Sequence, residues 1–178
     1  MGRAEIGELA LAGRSSDELR RLDAILVILQ RGLFVAGSEL AANPEAWDRL
    51  EDRVTRVDET MLQELETALA EYESRITMPR EFVVPGASRL SAALELARTI
   101  LRRAERRAVT LRRDGRVPGE WLLPYLNRQA DLVWVLARAA EQAEERVTVF
   151  AREGRARPLR RSAANAGDPS KERLDEHR

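Results

Sequence analysis

Residues 44–75 read Pro44-Glu-Ala-Trp-Asp-Arg-Leu-Glu-Asp-Arg-Val-Thr-Arg-Val-Asp-Glu-Thr-Met-Leu-Gln-Glu-Leu-Glu-Thr-Ala-Leu-Ala-Glu-Tyr-Glu-Ser-Arg75. In this stretch Trp47, Leu50, Val54, Val57, Met61, Leu65, Ala68 and Tyr72 step by three or four residues. That spacing puts them on one face of a helix over 44–75, with charged residues on the other face. A single amphipathic helix cannot bury its own stripe, so the pattern predicts a helical bundle. Upstream, Leu22, Ile25, Leu29, Leu33, Ala36 and Leu40 give a second stripe over 16–41, where Ser15 with Glu18 fits a capping box. Asn43-Pro44 separates the two helices as Ncap and N1. A short helix precedes them at about 4–13. Downstream, Thr77-Met-Pro-Arg-Glu-Phe-Val-Val-Pro-Gly86 breaks the pattern. A helix over 88–112 follows, then an Asp114-Gly115 turn, and Pro118-Gly119 opens a last helix over 120–150. The expected fold is all-α, an up-down bundle of four to five helices over residues 1–150. Residues 151–178 form an arginine-rich tail whose composition suits disorder.

Composition narrows the chemistry. The 178 residues include no cysteine and one histidine, His177, which excludes thiolate chemistry and multi-histidine metal sites. No protein metal site is expected. Basic and acidic residues number 30 each, so bulk charge gives no reason to expect nucleic acid or a membrane surface as partner. The longest unbroken apolar run, Ala24 to Leu29, is far too short to cross a bilayer, and a cytoplasmic location is expected. What remains is chemistry done with arginines, carboxylates and a borrowed reactive group.

Two segments carry such groups. In Ala97-Arg-Thr-Ile-Leu-Arg-Arg-Ala-Glu-Arg-Arg107, helical spacing puts Arg98, Arg102 and the Glu105/Arg106 pair on adjacent turns of one face. Arg103 lies on a neighbouring face. Converging guanidinium forks suit a polyphosphate, while the plainer reading is a solvated face with ion pairs along the helix. In Tyr125-Leu-Asn-Arg-Gln-Ala-Asp131, Asn127 and Asp131 share a face, with Trp134 and Arg138 close to the same stripe. An Asn and an Asp within an apolar helix need partners, and the arginines of the preceding helix are candidates. The result is either a buried polar network that fixes register or a ligand pocket between helices. The tail, with five arginines among residues 152–161, is either simply solvated or an anion-binding arm.

Taken in order, Gln30, Leu33-Phe34, Gly37-Ser-Glu-Leu-Ala41, Phe82-Val-Val-Pro-Gly86, Ala97-Arg-Thr-Ile-Leu-Arg-Arg-Ala-Glu-Arg106, Tyr125-Leu-Asn-Arg-Gln-Ala-Asp131-Leu and Leu136-Ala-Arg138 resemble the PduO-type ATP:cob(I)alamin adenosyltransferases, over roughly residues 4–140. The resemblance implies a homotrimer of five-helix bundles with sites between subunits. It implies transfer of the 5′-deoxyadenosyl group of MgATP to cob(I)alamin, with release of triphosphate. By the same resemblance, Arg98, Arg102, Arg103 and Arg106 would bind the polyphosphate or structure the site. Glu105 and Asn127 would hold the sugar and phosphate region, and Asp131 would pair with the arginine row. Phe82 would pack beneath the corrin and keep the lower axial ligand off cobalt.

The family's glycine- and threonine-rich phosphate loop has no match in these residues; Gly2-Arg-Ala-Glu5 corresponds to the segment that follows it. Backbone N–H groups of such a loop cradle phosphates. The sequence therefore leaves three readings: a transferase, a catalytically impaired paralogue that binds corrinoid or completes a hetero-oligomer with a full-length paralogue, and a non-enzymatic helical interaction module.

Overall fold

The computed structural model describes residues 1–11, 13 and 17–152. Ser15, the first member of the expected capping box, and the tail beyond Arg152 lie outside the described residues. The described part holds five α-helices: α1 (Gly2–Leu11), α2 (Asp17–Ala41), α3 (Glu59–Arg75), α4 (Arg89–Arg113) and α5 (Leu122–Ala143). The last of these is the centre of the bundle. It packs against α2, α3 and α4, and 14 of its 22 residues are buried. Helix α1 closes the side formed by α2 and α4. Expectation and structure agree on the all-α architecture.

Local chemistry sets the helix ends. Ser88 starts α4 by accepting a hydrogen bond from the Ser91 N–H at 3.1 Å, and Ser91 Oγ accepts from the Ser88 N–H at 3.0 Å. Asp58 starts α3 by accepting from the Met61 N–H at 2.8 Å. The Asp114-Gly115 turn ends α4, with Gly115 at a φ of 69°.

Three expectations need correction. The helix over 44–75 is not continuous. Pro44–Arg49 forms a 3-10 helix, residues 50–58 are irregular, and only Glu59–Arg75 is α-helical. Thr55 Oγ1 accepts from the Glu51 N–H at 2.8 Å, and Arg53 sits at a φ of 65°. Glu51 O accepts the N–H groups of Thr55 and Arg56 at 2.9 Å each, and a further hold comes from far away in sequence. The fully buried Glu39 of α2 accepts the Val57 N–H at 2.8 Å and the Gly119 N–H at 3.0 Å, stapling two connections to one carboxylate. Val57 is therefore buried without being helical, and Val54 is 61% exposed.

The last helix ends at Ala143, not at 150. Glu145 has a φ of 55°, and the β-branched run Val147-Thr-Val149 then leads to an antiparallel bridge between Val83 and Phe150. The third correction lies in α2. Its buried seam is Leu19, Leu22, Leu26, Leu29, Gly32, Ala36 and Glu39, while Leu33 is left 39% exposed. Tyr125 of α5 fills the space above Gly32, so the seam passes through the glycine instead of its neighbour. By length and composition α2 resembles a membrane span, but it buries a glutamate and packs against α1 and α5 as a bundle helix does.

Candidate active site

Helices α4 and α5 run antiparallel, and a series of polar contacts marks their register. Asn127 Nδ2 donates to Glu105 Oε1 at 2.9 Å. Further along, Arg138 Nη2 lies 3.2 Å from Glu95 Oε1. At the end, Ser88 Oγ donates to Glu144 Oε1 at 2.6 Å. Numbers fall on α4 as they rise on α5. Most of this seam is buried: Arg138 is 2% exposed and Glu95 7%. Arg138 is also paired with Glu141 at 3.0 Å, and its guanidinium carbon lies 5.6 Å from the centre of the Trp134 ring.

Between the Glu105–Asn127 and Glu95–Arg138 contacts the seam is flanked on one side by α3, which contributes Leu69 and Glu73. A cleft of about 520 Å³ lies there, lined among others by Arg98, Arg102, Asn127, Arg128, Asp131 and Trp134. Four residues singled out from the sequence, Arg98, Arg102, Asn127 and Asp131, thus meet at one place. Glu105 supports it: Oε2 pairs with Arg102 Nη1 at 2.6 Å while Oε1 holds Asn127. Asn127 therefore bonds to the glutamate of α4 and not to its arginines. Asp131 pairs with Arg128, one turn earlier on its own helix, at 3.2 Å. The expected pairing of Asp131 with the arginine row is not made. Arg103 and Arg106 are exposed on α4 and do not line this cleft.

A second cleft of about 510 Å³ adjoins the first and shares Arg98 and Trp134 with it. Phe82 sits on its wall, 78% exposed, between Glu81 and Val83. Its loop is held by main-chain bonds to the segment after α5. The Ala151 N–H donates to Phe82 O and the Val84 N–H to Val149 O, each at 2.8 Å. An exposed aromatic on a backbone fixed at both sides is ready to meet an apolar ligand face. One cleft rimmed by arginines therefore opens beside another in which Phe82, Val83, Pro85 and Trp134 sit among charged residues.

Sequence reasoning missed Glu95 and Arg128. Glu95 lies on the wall of the Phe82 cleft, and Oε2 accepts from Arg98 Nε at 2.8 Å. Its signal was present as an acid between two leucines, three residues before an arginine. Among the described residues no cluster of His, Asp and Glu is arranged to hold a metal ion.

Comparison with known proteins gives a consistent picture. The family profile described as "Cobalamin adenosyltransferase" matches residues 3–140. The corrinoid adenosyltransferase of Bacillus subtilis (strain 168) is 36% identical over 131 residues, covering 73% of this chain and 64% of that protein. That of Citrobacter freundii is 35% identical over 119 residues, covering 64% and 62%. The chain thus spans just under two thirds of the length of these relatives. Among solved structures, a variant of the PduO-type ATP:corrinoid adenosyltransferase from Lactobacillus reuteri, complexed with cobalamin and ATP, superposes with a TM-score of 0.66. Identity there is 25%, over 85% of this chain and 82% of that one.

Proposed function

Because this chain belongs to the cobalamin adenosyltransferase family, we propose that it transfers the 5′-deoxyadenosyl group of MgATP to cob(I)alamin, giving adenosylcobalamin and triphosphate. The observation that carries this reading is the pair of adjoining clefts, one rimmed by Arg98, Arg102 and Asn127, the other walled by Phe82. In this reading the C5′–O bond of ATP breaks, the electron pair leaves on triphosphate, and the carbon goes to the cobalt of the corrinoid substrate. That substrate brings its own nucleophile, so the protein has to orient, exclude water and balance charge. Arg98 and Arg102 take the polyphosphate as charge builds on the leaving group. Glu105 keeps Arg102 and Asn127 in place, and Asn127 and Asp131 line the nucleotide's side of the cleft. Arg103 and Arg106, exposed on the outer turns of α4, are assigned to the end of the polyphosphate. Phe82 faces the corrin and denies cobalt its lower ligand.

The reading extends to a cytoplasmic homotrimer with sites completed between subunits. In its support, Leu33, Leu96 and Ile100, 39–50% exposed, border an apolar groove of about 340 Å³ between α2 and α4. The bundle is assigned to residues 1–150 and the tail to 151–178.

The test is an anaerobic assay with excess reductant, corrinoid and MgATP, followed by the corrinoid spectrum. Product should form at a protein-dependent rate. Arg102→Ala should lower kcat/KM for ATP by about 10–150-fold, the equivalent of about 1.5–3 kcal/mol for a lost hydrogen bond to a charged group. No product from the chain as written, nor from one extended upstream, refutes the transferase reading. Product only with the extension, or only with a full-length paralogue added, assigns the missing phosphate contacts to that segment or partner.

A further inference from the structure

Glu95 has no role in the scheme above, yet its two oxygens join the site to the core. Oε1 lies 3.2 Å from Nη2 of the buried Arg138. Oε2 accepts from Arg98 Nε at 2.8 Å. Arg138 is itself fixed by Glu141 and by the Trp134 ring. Glu95 is therefore held from below by a charge that cannot swing away, and it grips Arg98 from that anchor. A guanidinium gripped through Nε presents one Nη N–H along the gripped edge and leaves three N–H donors directed away from it. Arg98 has no other partner among the described residues, its side chain is 34% exposed, and it lines both clefts. An unheld arginine would have to be ordered when an anion binds, at a cost in affinity that pre-ordering removes.

We propose that Glu95 is a positioning residue that aims Arg98 at the polyphosphate of the nucleotide. The inference rests on the transferase reading. A carboxylate present only to neutralise Arg138 would behave differently in one respect: its effect on anion binding would not depend on Arg98.

The experiment is a double-mutant cycle of Glu95→Gln and Arg98→Ala, read by calorimetric affinity for inorganic triphosphate and by KM for ATP. With Arg98 present, Glu95→Gln should weaken triphosphate binding about tenfold and raise KM for ATP by a similar factor. With Arg98 replaced by Ala, the same substitution should weaken nothing, because removing a negative charge beside an anion site only favours the anion. Equal effects in the two backgrounds overturn the proposal. Should Glu95→Gln fold poorly beside Arg138, left with Glu141 alone, the triple change Glu95→Gln, Arg138→Met and Glu141→Gln removes all three buried charges together. That variant should show the same tenfold loss, and unchanged triphosphate affinity in it overturns the proposal as well. The expected binding pattern without any adenosylcobalamin formed leaves the positioning role standing and removes the transferase reading. Full turnover with Glu95→Gln indistinguishable from wild type does the reverse. A wild-type chain that binds no triphosphate overturns the positioning role, and if it binds none with the upstream extension or a full-length paralogue added it overturns both.

Discussion

Gly32→Ala is the sharpest test of the packing that carries the site. A Cβ built on Gly32 would lie 1.8 Å from the Tyr125 hydroxyl oxygen and 3.0 Å from the ring carbon that bears it. At an open position in a helix, replacing Gly with Ala gains about 1 kcal/mol. Here the added carbon falls inside a side chain that is 2% exposed, so Tyr125 must turn within a packed core or α2 and α5 must part. Overpacking of this kind costs about 1–3 kcal/mol. With the helix gain subtracted, the expected loss is up to about 2 kcal/mol. In a chain of this size that lowers Tm by up to about 4–8 °C. Tyr125 precedes Asn127 by two residues, so parting these helices also disturbs the Asn127–Glu105 bond and should raise KM for ATP. The assay is urea and thermal unfolding of the wild type, Gly32→Ala, Tyr125→Phe and the double variant. Without the hydroxyl the new carbon meets the ring at 3.0 Å, a gap that closes with a shift of a few tenths of an ångström. The double variant should therefore recover most of the loss. A Gly32→Ala protein more stable than wild type, or a loss of equal size with Phe at 125, would refute this account of the α2–α5 contact.

Phe82 is 78% exposed, so Phe82→Ala should leave Tm within about 2 °C of wild type; under the proposed function it should still lower turnover of corrinoid, which steady-state kinetics will measure. Burial pushes the Glu39 carboxyl up from its ordinary range, against the Val57 and Gly119 N–H groups and the charges of Arg56 and Arg112, which pull it down. A raised carboxyl pKa gives stability that is fully present below the unfolded value of about 4.3 and is lost as pH rises through the folded value. The stability of wild type relative to Glu39→Gln should accordingly fall between acid and neutral pH in urea titrations, and a constant difference would contradict it. The chain's two tyrosines, Tyr72 and Tyr125, are both pushed up to about 12 by burial. Absorbance of phenolate should stay low through pH 10–11 and rise only with ionisation near 12 or with unfolding; a rise centred near pH 10 in the folded protein would refute their burial.

Which parts of this were readable in advance follows from the range of the forces involved. Helix α2 came from a stripe of period 3.6, and α4 and α5 from breakers and turn residues such as Asp114-Gly115, all local signals. Residues 50–58 keep helical spacing at Leu50, Val54 and Val57, while the structure closes them into a local loop on Glu51 O and ties its end to the carboxylate of Glu39, 18 residues before Val57. The early end of α5 was hidden in the same way, since Val149 and Ala151 hydrogen-bond to a loop about 65 residues upstream. In the site, the i, i+4 spacing brought Arg98 to Arg102 and Asn127 to Asp131. It could not say which residue of α4 would face Asn127, because the register of two helices is set by their packing. Glu105, not an arginine, turned out to be that residue.

The position of the cleft has a physical cause in that register. Glu95 and Glu105 stand ten residues apart on α4, about 15 Å along the axis. Each grips an arginine that lies between them: Glu95 holds Arg98 and Glu105 holds Arg102. Each also reaches α5, through Arg138 and Asn127, so the two helices are tied at both ends of this interval. Within it, two arginines four residues apart repel each other and cannot interdigitate with Trp134 as leucines would. Beside the buried Leu101, Ala130 and Val133 the arginines line a cleft that α3 closes with Leu69 and Glu73. The summed charge of the four α4 residues is zero, but the cleft itself is lined by Arg98, Arg102 and Arg128 against Glu73 and Asp131, an excess of one positive charge. A seam required only to hold two helices together has no need of that excess, and apolar residues would serve it at least as well. Under the proposed function, the arrangement is the one a polyanion entering between the tied ends requires.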